Sequence, residues 1–353
     1  MPNSAAPLWK SRHQYVDRTG TTVRTEGLFG DAVVSWLYTP LWENGPALYS
    51  LLTGKRTSRL LGYLQYDALL DARTLGMRRY LESCGVDLIE CVELPERLDT
   101  PRKLFERQIR FWHCRPMPDD PATVVAPADA RTLVGSLREN SALFLKGKFF
   151  HLDELVGEDR GWADTFRTGD FSVHRLTPDK YHYTHVPVSG RVVDSYEIAG
   201  RYHACNPGAV VTVMTPYSKN RRSVVILDTD VPEGTQVGRV AIIEIAALMV
   251  GDVVQCYSAD RYRSPVPVQP GMLLERGAVK GLFRPGGSTV VLVFQSGRVA
   301  FAEDLLRNRL RADVETRFSL GFGRPLVETD LPVRSLLARR QQSPAVQEAH
   351  DGE

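Results

Sequence analysis

From residue 123 onward, short apolar runs alternate with polar, glycine or proline breaks. The runs are Val124 to Ala126, Ala142 to Leu145, Val186 to Val193, Ala209 to Val213, Val224 to Leu227, Val240 to Ile245, Val250 to Cys256, Val290 to Phe294 and Val299 to Phe301. Their length and β-branched content suit strands. Strands this dense, with no helical period between them, predict a mostly antiparallel barrel or sandwich. Two interruptions read as short helices, Leu152 to Val156 and Glu303 to Arg309.

The first third of the chain has another period. Leu28, Trp36, Leu37, Leu41, Trp42, Leu48, Leu51 and Leu52, then Leu60, Leu61, Leu64 and Ala68, recur at helical spacing beside Lys55, Arg56 and Arg59. Either this apolar face packs on its own domain, or its basic flank meets anionic lipid headgroups; the sequence leaves both readings open. Gly85 stops a helix over Met77 to Cys84. Asp99-Thr100-Pro101 caps another, which carries Leu104, Phe105, Gln108, Ile109 and Trp112 and ends before Arg115-Pro116. The turn from Met117 to Pro121 marks the change of architecture. The expected class is α+β, with a flexible arm at 1–25, a helical N-terminal region at 26–120, a β-rich domain at 121–340 and a disordered tail at 341–353.

Composition removes several classes. With 43% hydrophobic and 24% charged residues, the 353-residue chain has the make-up of a globular protein. Its 44 basic and 42 acidic residues leave a net charge of +2, so no nucleic-acid partner is expected. Cys84, Cys91, Cys114, Cys205 and Cys256 are odd in number and never spaced Cys-x2-Cys, which argues against a disulfide framework or a zinc ribbon. The start lacks the apolar stretch of a signal peptide, and no run reaches the ~18 to 20 apolar residues that span a bilayer. The expected location is cytoplasmic, with peripheral membrane contact left open.

Three stretches carry reactive groups. Asp129 follows a strand in Ala126-Pro127-Ala128-Asp129. His182 and His185 lie in Tyr181-His182-Tyr183-Thr184-His185, and Ser288 follows Gly286-Gly287 and opens an apolar run. Each has an ordinary structural reading. Aspartate after a proline turn caps backbone amides, histidines are commonly just packed, and Gly-Gly-Ser-Thr is a common hairpin connection. The histidine pair lacks the glutamate of a zinc helix, and His174, His203 and Cys205 add no ligand spacing, so no metal is expected. Strand residues alternate faces, so His182 and His185 share a side only if the backbone turns or bulges between them.

Taken in order, the motifs resemble a known series. Asp129 after its proline turn, His-x-x-His-x-Pro-Val-x-Gly from His182, Cys205-Asn206-Pro207, Asn220-Arg221-Arg222, Leu248-Met249-Val250-Gly251 and Gly287-Ser288-Thr289 are similar to the phosphatidylserine decarboxylase family. Phe105 and Arg115-Pro116 extend the likeness toward the N-terminus. The chain departs from the family pattern in three places. It has one more residue before Ser288, Arg221 where the family has glutamate, and Met249-Val250-Gly251-Asp252 in place of Asn-Val-Gly-Ser.

The resemblance implies a self-processing, pyruvoyl-dependent carboxy-lyase. In such an enzyme Asp129 orients His185 and makes it more basic, His185 takes the proton of Ser288, and the serine oxygen attacks the Gly287 carbonyl at the cleavage site. Ser288 ends as a pyruvoyl cofactor, and the chain as a heterodimer of its own products, 1–287 and 288–353. The pyruvoyl carbonyl forms a Schiff base with the substrate amine and accepts the electrons released as carbon dioxide leaves. His182 is the expected acid that reprotonates the product. The implied reaction turns phosphatidylserine into phosphatidylethanolamine. The alternative substrate is a free α-amino acid, because the departures at 220–222 and 249–252 fall where substrate contacts could differ. A reading of another class is a non-catalytic β-barrel binding module of the same fold.

Overall fold

The computed structural model describes residues 5–19, 21–28, 31–38, 54, 57, 63, 66, 71–138, 149–213, 215–248, 252–286 and 288–341. Within them lie a ten-stranded sheet, two three-stranded sheets and short helices. Ser288–Phe294 runs through the middle of the large sheet, antiparallel to Arg239–Ala246 on one side and Asp170–Leu176 on the other. All seven of its residues are buried. Val290, Leu292 and Phe294 pack with Leu227 and Ile242 on one face, and Val291 and Val293 pack with Ile226 and Ile243 on the other. Coverage on both faces explains a continuous apolar run where a half-solvated strand would alternate.

The three central strands break at one level. Asp170–Leu176 leads through residues 177–182 into Tyr183–His185, Arg239–Ala246 leads toward Val253–Ser258, and Val279–Phe283 leads toward Ser288–Phe294. Beyond the break a separate sheet forms, with Val279–Phe283 between Val253–Ser258 and Tyr183–His185, the same neighbour order as in the large sheet. Pro178 and Pro285 lie in the break, where a residue without an N–H cannot continue a ladder. Two bonds tie the connections together, from the Phe283 amide to the His182 carbonyl and from the Arg284 amide to the Asp252 carbonyl, both 3.0 Å.

The two expected short helices are present over Leu152–Val156 and Glu303–Arg309. Other expectations change. The run Ala209 to Val213 is part of a helix, Pro207–Thr212, because Asn206 caps the Gly208 amide and proline occupies the first helical position. The helix opened by Thr100 stops at Phe105, and a second turn, Phe111–Cys114, comes after it. The sheets pack in layers like a sandwich and do not close into a barrel, since the large sheet ends at Leu273–Leu274 and Val23–Thr25.

The arm does not lie free. It forms the helix Ala5–Lys10 and the strand Gln14–Asp17, which joins the large sheet parallel to Thr329–Leu331. The described part of the helical region also lacks a boundary with the β-rich part, for Leu104, Phe105 and Ile109 share one apolar cluster with Tyr181, Tyr183 and Leu282. The run Ala142 to Leu145, most of the amphipathic stretch from 28 to 70, Met249 to Gly251, Gly287 and residues 342–353 lie outside the described residues.

Candidate active site

Ser288 stands where the central strand begins, opposite Leu176 and Ala246, and is fully buried. Its Oγ has no hydrogen-bond partner among the described residues. Gly286 lies two residues before it with φ at 143°, a backbone that L side chains seldom adopt. Beside it lies a cavity of about 120 Å³ bounded by Gly286, Leu176, Cys205, Glu26 and Arg175.

His185 ends the strand Tyr183–His185, which is continuous; the register shift lies on the partner strand Val279–Phe283, so the turn or bulge expected between His182 and His185 is not found within Tyr183–His185, and His182 precedes that strand. Its backbone amide donates to the Pro127 carbonyl at 2.7 Å, which brings the aspartate turn alongside. The ring Nδ1 lies 2.8 Å from the Gly277 carbonyl. A carbonyl only accepts, so Nδ1 carries the hydrogen and Nε2 is the basic atom. Nε2 is 3.1 Å from the Tyr181 hydroxyl, which is 2.7 Å from the Tyr262 hydroxyl, which donates to the Ile109 carbonyl at 2.8 Å.

Tyr262 spends its hydrogen on Ile109, so Tyr181 has one hydrogen for two neighbours, Tyr262 and Nε2. Every contact is satisfied only when Nε2 itself carries a proton. Burial opposes that state and lowers His185 to about 4, partly offset by the Gly277 carbonyl and the charge of Asp129.

His182 is also buried, stacked on Phe105 with ring centroids 3.6 Å apart. Neither ring nitrogen reaches hydrogen-bond geometry with a described residue. Burial holds it neutral, at about 3, although the Lys180 backbone favours protonation.

Asp129 serves Arg115, with Nε at 3.0 Å and Nη2 at 2.9 Å, and accepts from the Val333 amide at 2.7 Å. Burial raises its carboxyl most, but the Arg115 guanidinium, the Lys180 charge and the Val333 amide together hold it below the usual range. None of these bonds goes to His185. The expected orienting partner is replaced by Gly277, and Asp129 acts on the imidazole through space.

Other quoted motifs serve the frame. Asn220 accepts from the His203 amide at 2.7 Å and donates to the His203 carbonyl at 2.9 Å. Two of the three departures from the family pattern meet each other, because Arg221 pairs with Asp252 as well as with Glu197.

His13, Glu26 and Glu328 bring three ligand-type atoms within 4.8 Å of one another. Arg175 donates to both carboxylates, and His13 Nδ1 accepts from the Arg317 amide, so this cluster is already an ion network.

Tyr181, Gly277 and Phe105 were not among the residues given a chemical role by sequence reasoning. Tyr181 lay inside the histidine stretch, and its neighbourhood was the available signal; nothing local marks Gly277 as an acceptor.

A family model described as Phosphatidylserine decarboxylase matches residues 102–318. The chain is 27% identical over 310 residues to the phosphatidylserine decarboxylase proenzyme of Fusobacterium nucleatum subsp. nucleatum, covering 87% of this chain and 95% of that one. It is 31% identical over 255 residues to the proenzyme of the same description from Bordetella avium, covering 69% and 83%. With that of Chlamydia felis it shares 28% identity over 319 residues, covering 89% and 99%.

Proposed function

The chain belongs to the phosphatidylserine decarboxylase family, and on that premise we propose that it cuts itself between Gly287 and Ser288 and decarboxylates phosphatidylserine to phosphatidylethanolamine. The observation that carries this reading is the buried Ser288 hydroxyl, which heads the central strand without a hydrogen-bond partner among the described residues; the hydrogen-bond chain at His185, complete only when a proton arrives at Nε2, supports that imidazole as the base.

In processing, His185 Nε2 takes the Ser288 hydroxyl proton as Oγ bonds to the Gly287 carbonyl carbon. The Gly287–Ser288 C–N bond then breaks, its nitrogen gains a proton, and an ester links Gly287 to Oγ. Loss of the Ser288 Cα proton breaks the Cβ–O bond and releases the Gly287 carboxylate. Water converts the remaining dehydroalanine to a pyruvoyl group and ammonia. Ser288–Phe294 is hydrogen-bonded to strands of the first product on both sides, so the two products stay together.

The residues present fit a pyruvoyl group at this position: its precursor hydroxyl is buried and makes no hydrogen bond to a described residue that would have to break. Once formed, such a group supplies a carbonyl that condenses with an amine and accepts electrons as carbon dioxide departs. The neutral ring of His182 can take the proton that a substrate ammonium must lose and return it to the product carbon. No helix among the described residues is long and apolar enough to cross a membrane. A phospholipid substrate fits a peripheral enzyme that meets the bilayer at its surface.

Denaturing electrophoresis with intact mass tests the reading. Two fragments are expected, the smaller blocked at its N-terminus, and Ser288→Ala should give one intact chain. Cleavage that persists in Ser288→Ala overturns the assignment. Carbon dioxide release from phosphatidylserine vesicles, run against a panel of free α-amino acids, decides the substrate.

A further inference from the structure

One carboxylate joins the large sheet to the small one. Glu244 lies in Arg239–Ala246, two residues before Ala246, which faces Ser288 in the register. Its Oε1 accepts from the Thr184 hydroxyl at 2.5 Å, and its Oε2 accepts from Lys280 Nζ and Gln255 Nε2, both at 2.7 Å. The three donors come one from each strand of the small sheet. Glu244 and Lys280 are completely buried.

The backbone is shaped around this cluster. On one side Val279 pairs with His185 while Gly281 pairs with Thr184, and on the other Gly281 pairs with Gln255 while Val279 pairs with Ser258. Against Tyr183–His185, Lys280 is thus the extra residue of a bulge, while against Val253–Ser258 the extra residue belongs to that neighbour; bulges re-aim a side chain. A Cβ on Gly281 would stand 2.9 Å from Glu244 Oε1 and 3.0 Å from Thr184 Oγ1, so glycine leaves room for the carboxylate.

Apolar residues of similar volume would join two sheets at least as stably as a buried ion pair. What the carboxylate adds is direction, because three donors must reach it at hydrogen-bonding geometry. Thr184 is the residue next to His185. We infer that Glu244 and Lys280 are positioning residues that set the Tyr183–His185 strand, and with it both imidazoles, against Ser288. The inference rests on the processing reading above for its effect on cleavage, but its geometric content stands apart from it.

Three changes test it, with cleavage followed by intact mass, folding by thermal melting, and imidazole resonances of His182 and His185 read by NMR in the uncleaved Ser288→Ala background. Thr184→Val removes one donor without touching a charge. It should slow cleavage about tenfold, the effect of losing one hydrogen bond to a charged group, and move the His185 resonances, with melting lowered but the chain still folded at the assay temperature. Thr184→Ser keeps the hydroxyl and should behave as the unaltered chain. The double change Glu244→Leu with Lys280→Met removes both charges, and should fold yet cleave slowly. Unaltered cleavage with unmoved resonances in Thr184→Val overturns the inference. So does a folded double variant that cleaves at the unaltered rate, or a loss of cleavage that only tracks the unfolded fraction. A chain that never cleaves defeats the processing reading, while the resonances still decide this one.

Discussion

His182 lies face to face with Phe105, ring centroids 3.6 Å apart and planes 28° from parallel. Phe105 is the last residue of a helix whose start is fixed by Thr100 accepting from the Lys103 amide. A cap in the helical region thereby sets the platform on which a candidate acid of the β-rich domain rests.

Phe105→Leu keeps most of the apolar volume and loses the flat platform. Cleavage at Ser288 is expected to proceed, whereas carbon dioxide release should fall about tenfold as His182 gains freedom, a barrier change of about 1.4 kcal/mol. Phe105→Ala should instead destabilise the fold by about 3–5 kcal/mol. Cleaved fraction and turnover, measured on one preparation, separate the two effects. Equal loss of both steps in Phe105→Leu would refute a role confined to His182.

Tyr181→Phe removes the acceptor that a protonated Nε2 of His185 would use. Tyr262 keeps its bonds to the Ile109 amide and carbonyl, so the stability cost should stay within about 1 kcal/mol. Cleavage should slow because the imidazole becomes a weaker base. A time course at unaltered speed would show that the hydroxyl chain plays no part.

Ser288→Ala deletes a buried hydroxyl that has no partner among the described residues, which is not costly and can stabilise. The uncleaved variant should melt no lower than the processed protein. A clear fall in melting temperature would mean that the hydroxyl is paired in solution.

Acid should weaken the fold in a defined window. Burial lowers His174 and His182 to about 3, and His185 and His203 to about 4. An unfolded histidine takes a proton near pH ~6.5, so below that the unfolded chain binds protons that the folded chain refuses. Stability should be flat in these groups above about 6.5 and fall from there toward about 4, by at most ~1.4 kcal/mol per pH unit for each histidine. Cleavage by neutral His185 should persist down to about pH 5 in protein that remains folded. A melting temperature that does not change between pH 7 and 5 would contradict the buried, neutral rings.

Much of the fold could be read along the chain because its signals are local. Val224 to Leu227, Val240 to Ile245 and Val290 to Phe294 are apolar enough to be strands in any setting with both faces covered, and Glu303–Arg309 announces itself by acids at its start and arginines at its end. Ala209 to Val213 has the β-branched composition of a strand, yet the Asn206-Pro207 cap decides its conformation and makes it part of a helix. Gln14–Asp17 was invisible for a different reason. It is a short segment whose partner, Thr329–Leu331, lies some three hundred residues away, and no local period announces such a pairing.

By itself the sequence determined which residues could react, since a hydroxyl beside two glycines, a pair of imidazoles and a carboxylate after a proline turn are properties of residue types in order. Only the tertiary structure decided who serves whom. Asp129 went to Arg115 and Gly277 went to His185, and Glu244 and Lys280, lone charges in apolar runs, became the joint between two sheets. The reason is physical. A hydrogen bond depends on distance and direction to within a fraction of an ångström, and those are settled by how three broken strands stack, which no stretch of sequence contains.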